Sequence, residues 1–254
     1  MFNKLLIIGA RILSLGFFSY PLKALTLSKI SRPLIPVFAK HYQINQGDMV
    51  ADIKSYKSLS AFFAREINLK KRPIAANDWV SPVDGFVQEF GEIDKEQTFT
   101  VKGTKYRLNE LLDDRTAGKF GNGGSFIIVY LSPSQYHRYH SPVTGKVKKL
   151  AEFGKVSFPV NDWGLDNVDK LYVKNHRIAY QIGEETLLIA VGALNINSII
   201  DSYEAGSEKQ GQEVGYFTFG STVVLLSPDK QLEWQQDLAP GKFIKVRSGI
   251  ADYK

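Results

Sequence analysis

The sequence predicts an α+β protein in which N-terminal amphipathic helices precede a mainly antiparallel β body. Three observations predict it. Residues 1–47 hold six basic side chains (Lys4, Arg11, Lys23, Lys29, Arg32 and Lys40) and no acidic one, set among Leu, Ile, Val and Phe. That is the composition of helices lying on an anionic membrane surface. From Asp78 onward, short β-branched and aromatic runs alternate with Gly, Pro, Asn and Asp, and no long helical period intervenes. The 254 residues are enough for one core plus a helical appendage, and a hydrophobic content of 44% with 23% charged residues excludes wholesale disorder.

The net charge of +6 belongs to the N-terminal segment, because beyond residue 47 basic and acidic side chains balance. A neutral body argues against a nucleic-acid footprint. The chain has no cysteine, which excludes disulfides, thiolate catalysis and cysteine-ligated metals.

Taken in order, residues 2–18 are mostly apolar but carry Arg11 near the middle and end close to Pro21. This stretch is too short and too charged to cross a bilayer. Arg11 also interrupts the apolar core that a signal peptide needs, and no small-residue cleavage site follows. A helix lying in the membrane interface is expected, supported by 21–30 and 33–42, which mix apolar and basic residues in the same way. Residues 1–48 are therefore expected to form a basic, membrane-associating segment and 49–254 a β-rich catalytic domain. Residues 43–52 read as a connector, and 58–66 as a short helix anchored by Phe62 and Phe63. Strands are expected over 85–90, 98–102, 125–131, 145–153, 187–191 and 222–226. One internal echo stands out: Ser81-Pro82-Val83-Asp84-Gly85-Phe86-Val87 recurs as Ser141-Pro142-Val143-Thr144-Gly145-Lys146-Val147. Each copy fits a tight turn feeding a strand, with glycine supplying positive φ, and the pair is compatible with a duplicated β half.

The chemistry centres on residues 216–226, two extended runs around Gly220-Ser221-Thr222. A glycine here fits a bulge, a close backbone approach or a hairpin turn. Ser221 can attack the carbonyl of Gly220 in an N-to-O acyl shift if a base takes its proton and a donor holds the oxyanion. The histidines are His41, His137, His140 and His176. Ser132-Pro133-Ser134-Gln135 has the form of a helix start. A single helical turn is expected to carry Tyr136 and His137 and to unwind by Ser141, which precedes Pro142. The two histidines would then face different partners. Asp84, His140 and Ser221 follow the logic of a serine activated by a carboxylate-oriented histidine. At this level four classes stay open. They are a self-processing chain, a Ser-His-Asp hydrolase acting on an external acyl group, a non-enzymatic membrane-bound β module, and a metal site of His137 and His140 with Asp84 or His176. The last lacks a recognised ligand spacing.

Several ordered motifs together resemble the phosphatidylserine decarboxylase proenzymes. They are Phe62-Phe63-Ala64-Arg65, Ser81-Pro82-Val83-Asp84-Gly85, Lys102-Gly103 with Tyr106, and Tyr130-Leu131-Ser132-Pro133 running into Tyr136-His137-Arg138-Tyr139-His140 and Pro142. Val160-Asn161, Asn175 with Arg177, Val191-Gly192-Ala193, and Gly215 through Phe219-Gly220-Ser221-Thr222 complete the set. Phe219 stands where the family usually has leucine, one apolar residue for another. The resemblance implies that His140, oriented by Asp84, deprotonates Ser221. The chain is then cut into a β chain, 1–220, and an α chain, 221–254. Ser221 becomes a pyruvoyl group, the cofactor, which forms a Schiff base with the amine of phosphatidylserine and promotes loss of CO2 to give phosphatidylethanolamine. It further implies that His137 protonates the resulting carbanion, that Thr222 helps hold the cleavage geometry, and that no metal takes part. Expected partners are phosphatidylserine, an anionic membrane surface at the cytoplasmic face of the cell membrane, and the protein's own two chains. A homodimer is left open, and no nucleic acid is expected.

Overall fold

A computed structural model describes residues 16–193, 198–204, 206, 208–228 and 232–254. Expectations for residues 1–15, including Lys4 and Arg11, lie outside the described residues. The described chain begins with α1 (Gly16–Leu27) and α2 (Leu34–His41), followed by α3 (Leu59–Phe63). Ser58 starts α3 by accepting a hydrogen bond from the Ala61 N–H, an N-cap that satisfies one orphan amide. Helix α1 runs through Pro21 instead of stopping near it. α2 begins directly after Pro33, which needs no amide hydrogen there. Ile35, Ala39 and Ile44 pack with Leu59 and Phe62 in one apolar cluster. The helical layer therefore reaches past residue 48 and shares its core with the start of the body.

The body holds fifteen strands among the described residues: β1 (Trp79–Val80), β2 (Gly85–Ile93), β3 (Thr98–Val101), β4 (Thr104–Arg107), β5 (Gly124–Leu131), β6 (Arg138–His140), β7 (Val147–Phe153), β8 (Arg177–Ile182), β9 (Thr186–Gly192), β10 (Ile199–Asp201), β11 (Glu213–Phe217), β12 (Ser221–Ser227), β13 (Leu232–Trp234), β14 (Phe243–Ile244) and β15 (Gly249–Tyr253). Short helices sit between β4 and β5 (Leu108–Leu111, Asp114–Ala117) and between β7 and β8 (Asp162–Asn167, Leu171–Lys174). Seven strands form one antiparallel sheet in the order β14-β2-β5-β12-β9-β8-β7, and two three-stranded sheets, β1-β15-β13 and β10-β11-β6, pack beside it.

Alternation along the central strands feeds two cores. Val223, Leu225, Val129, Ile127, Leu188 and Ala190 face the side shared with the small sheets. Val224, Leu226, Ile128, Phe126, Ile189 and Val191 face the β3–β4 hairpin and the short helices. Because β12 is buried on both faces and flanked on both edges, it reads as a continuous apolar run with no polar alternation.

The Ser-Pro-Val echo is structural. Ser81 Oγ donates to the Val83 carbonyl at 2.7 Å and Ser141 Oγ to the Val143 carbonyl. The two turns also grip each other reciprocally: the His140 amide donates to the Pro82 carbonyl and the Val80 amide to the Pro142 carbonyl. Gly145 has φ of +147°, as the turn reading expects, but Gly85 does not have positive φ. Its place is fixed by crowding, since a Cβ there would lie 2.6 Å from the Tyr130 carbonyl oxygen.

Candidate active site

The Gly220–Ser221 bond sits where the chain changes sheets. Strand β11 pairs with β10 and β6, whereas β12 enters the seven-stranded sheet. The hairpin reading of Gly220 is thus replaced by a crossover. A Cβ on Gly220 would meet only the Ala193 Cβ at 3.6 Å, an ordinary contact, so no close backbone approach requires the glycine. The crossover is pinned by the Phe217 amide donating to the His137 carbonyl at 2.8 Å and the Thr218 amide to the Ser198 carbonyl at 2.7 Å.

Ser221 is the first residue of the central strand, in register with Leu131 on one side and Gly192 on the other. Its hydroxyl and that of Thr222 are fully buried and have no hydrogen-bond partner. A buried hydroxyl normally finds one, so two orphans in succession mark a place kept open for something other than stability. The carbonyl that Ser221 would attack, that of Gly220, accepts a hydrogen bond from the Ala193 amide at 2.9 Å. Nucleophile, target carbonyl and a donor on its oxygen are all in place.

Both sequence-predicted histidines are fully buried, and burial pushes both imidazoles down to about 3. His137 Nδ1 lies 3.0 Å from the Gln135 carbonyl, so it is the protonated nitrogen; Nε2 has no partner. The Leu131 carbonyl, from the register partner of Ser221, also bears on this ring. Phe63 packs on the ring at 3.9 Å between centroids and stacks in turn on Phe219. His140 differs. Its Nδ1 meets the Gly211 carbonyl at 3.0 Å and its Nε2 the Tyr136 hydroxyl at 2.9 Å, so both nitrogens are occupied.

The expected Asp84–His140 contact is therefore corrected. Asp84 instead accepts from the Val246 amide at 2.7 Å and from Arg72 at 3.3 Å. Burial raises its carboxyl, and those two partners oppose the rise. Two backbone features explain the difference. Segment 132–137 forms a turn, with no helix, and His137 immediately precedes β6 while His140 ends it. Three residues apart along extended chain, the two side chains leave on opposite faces. The expectation that they face different partners holds. His176 pairs with Glu152 at 2.7 Å, and the described residues contain no cluster able to hold a metal.

A cavity of about 210 Å³ opens onto the Gly220–Ser221 peptide, lined by Phe63, Leu131, Ala193, Phe219 and Gly220, by Phe38 of α2 and by Tyr42 just after it. Leu25, Leu27, Ile30, Leu34 and Val37 are exposed on the same helical layer, next to Lys29, Arg32 and Lys40. No helix among the described residues is long and apolar enough to cross a membrane.

The family model described as phosphatidylserine decarboxylase matches residues 59–252. The chain belongs to the phosphatidylserine decarboxylase family. Among similar proteins, the phosphatidylserine decarboxylase proenzyme of Bacillus subtilis is 44% identical over 233 residues, covering 90% of this chain and 89% of its own. The proenzymes of Bacillus thuringiensis and Bacillus anthracis are each 38% identical over 240 residues, with 92% of both chains covered. The last of the phosphatidylserine decarboxylase motifs, Phe219-Gly220-Ser221-Thr222, forms the crossover described above. Sequence reasoning missed the Ala193 amide, because a backbone donor carries no residue signature; Val191-Gly192-Ala193 was the available signal.

Proposed function

We propose that the chain is a phosphatidylserine decarboxylase made as a proenzyme, which cuts itself between Gly220 and Ser221 to generate its own pyruvoyl group. The observation that carries this reading is the unpartnered, buried Ser221 hydroxyl beside a scissile carbonyl already held by the Ala193 amide. His137 Nε2, neutral and unpartnered, accepts the Ser221 proton. Ser221 Oγ bonds to the Gly220 carbonyl carbon and the amide becomes an ester. Removal of the Ser221 α-proton then expels the Gly220 carboxylate and leaves a dehydroalanine. Tautomerisation and hydrolysis release ammonia and leave the ketone of a pyruvoyl group.

The residues present suit such a group. Residue 221 is walled off from water, and a cavity reaches the neighbouring peptide. When formed, a pyruvoyl group supplies the electron sink for the pair left as carbon dioxide departs. His137 Nε2 would take a proton from the substrate's ammonium group and return it to the substrate carbon. Asp84 and His140 lock the paired turns from which the His137 segment hangs. The apolar, basic helical layer that also walls the cavity suits an anionic lipid presented at a membrane surface, so a peripheral membrane position is part of the proposal. An external-acyl hydrolase is less favoured, because the carbonyl held beside the Ser221 hydroxyl is the chain's own, that of Gly220.

Intact-mass measurement tests cleavage. The expected result is a C-terminal fragment 221–254, lighter by one ammonia than the same peptide beginning with serine, and its loss in Ser221→Ala; two fragments from that variant would refute the assignment. Membrane docking is tested by exchanging Ile30, Leu34 and Val37 for serine. Partition onto phosphatidylserine-containing vesicles is expected to weaken on the order of a hundredfold, each side chain contributing roughly 1 kcal/mol. Unchanged co-sedimentation would remove this part of the proposal.

A further inference from the structure

The peptide between Gly192 and Ala193 is held from both sides. On one side its N–H, that of Ala193, donates to the Gly220 carbonyl oxygen at 2.9 Å. On the other its carbonyl, that of Gly192, accepts from Asn175 Nδ2 at 2.9 Å. In a trans peptide the two groups point in opposite directions from one plane, so fixing the carbonyl aims the amide. Asn175 is itself immobilised. Its side chain is fully buried, Oδ1 accepts from the Phe158 amide at 2.9 Å, and Nδ2 also donates to the Phe158 carbonyl at 2.8 Å. The next residue completes the grip, as the Gly192 amide donates to the His176 carbonyl at 2.9 Å.

We infer that the Ala193 N–H is the oxyanion donor for self-cleavage, and that Asn175 is the positioning residue that aims and polarises it. The inference rests on the self-cleavage reading and deepens it. As Ser221 Oγ bonds to the Gly220 carbon, the carbonyl π pair moves onto the Gly220 oxygen, where the Ala193 amide already stands. Collapse of that tetrahedral centre expels the Ser221 nitrogen, which takes up the proton relayed by the base. A preoriented donor costs no reorganisation when the charge develops. The Asn175 bond to the Gly192 carbonyl polarises the same amide and strengthens its N–H as a donor. Asn175 also ties this peptide to the loop bearing Pro159, Val160 and Asn161, a wall of the cavity, so the donor and the wall move together.

The test uses full-length chains caught before cleavage. Asn175→Leu keeps the approximate shape and removes both donors. Its self-cleavage rate is expected to fall on the order of tenfold or more, less than the roughly 10²–10³-fold typical of deleting an oxyanion donor outright. Replacing Ala193 by lactic acid, which puts an ester oxygen in place of the N–H, should show that larger loss with Asn175 intact, and it serves if Asn175→Leu does not fold. A second readout is independent of cleavage. In a Ser221→Ala background, the ¹³C resonance of the Gly220 carbonyl should move upfield when Asn175→Leu or the ester is added, because its hydrogen bond weakens. Cleavage at the parental rate, or slower cleavage with that resonance unmoved, would overturn the inference and leave Asn175 a fold-holding residue. Failure of the unsubstituted chain to cleave at Gly220–Ser221 would instead overturn the self-cleavage reading itself, and the inference with it.

Discussion

His137 and His140 are three residues apart, equally buried and equally depressed in basicity, and each spends Nδ1 on a backbone carbonyl. They differ at one atom. His140 Nε2 is bound by the Tyr136 hydroxyl; His137 Nε2 makes no hydrogen bond, with only the Leu131 carbonyl bearing on the ring. One imidazole is thereby built into the structure, whereas the other keeps the free nitrogen that the proposed base requires. On that proposal a histidine is made a base by the vacancy its neighbours leave, since both rings have the same chemistry and the same burial.

The sharpest way to break this comparison is to delete each ring in turn. His137→Ala is expected to stay largely full-length, with cleavage slowed by about 10²–10⁴-fold, the usual worth of a general base. His140→Ala should still cleave at nearly the parental rate but lose stability of about 2–4 kcal/mol. It leaves the buried Tyr136 hydroxyl without a partner and opens a cavity, while the Gly211 carbonyl keeps its bonds from Arg247. Cleavage kinetics and urea midpoints of the two variants decide the matter. A folded, uncleaved His140→Ala beside a cleaving His137→Ala would restore the His140 relay expected from sequence.

A smaller effect sharpens the same comparison through pH. With His137 neutral down to about pH 3, the cleavage rate should stay nearly flat between pH 7.5 and 5.5. A base with the ordinary histidine value near 6.5 would lose roughly tenfold over that range. Stability should move where the rate does not. The folded chain holds both histidines neutral to about 3, while the unfolded chain protonates them near 6.5. The unfolded state therefore binds more protons between those values, and stability is lost as pH falls through that window. Asp84, raised by burial, acts with the opposite sign just above the ordinary carboxylate range. A cleavage rate that tracks the acid loss of stability would mean the base titrates with the fold.

Much of the protein was legible in its residues. The strands around 85–90, 125–131, 187–191 and 222–226 are found where β-branched runs lie between turn residues, because a sheet buried on both faces needs that composition. Gly220-Ser221 carries its own nucleophile and target, so the proposed cleavage bond was legible once the ordered motifs around it were read together. The paired turns were visible as an echo because both copies make the same local hydrogen bond from serine to the carbonyl two residues on. Composition also located the basic, apolar helical layer.

Only the tertiary structure decided which groups meet. Asp84 turned to Val246 and Arg72 instead of His140, and Tyr136 closed off one histidine. The donor on the Gly220 carbonyl came from the backbone of Ala193, aimed by an asparagine eighteen residues earlier in the chain and brought alongside by the β8–β9 hairpin. Covalent order fixes what a residue can do to its immediate neighbour. Long-range register and burial fix which lone pairs and amide hydrogens are left free, and no local pattern encodes that.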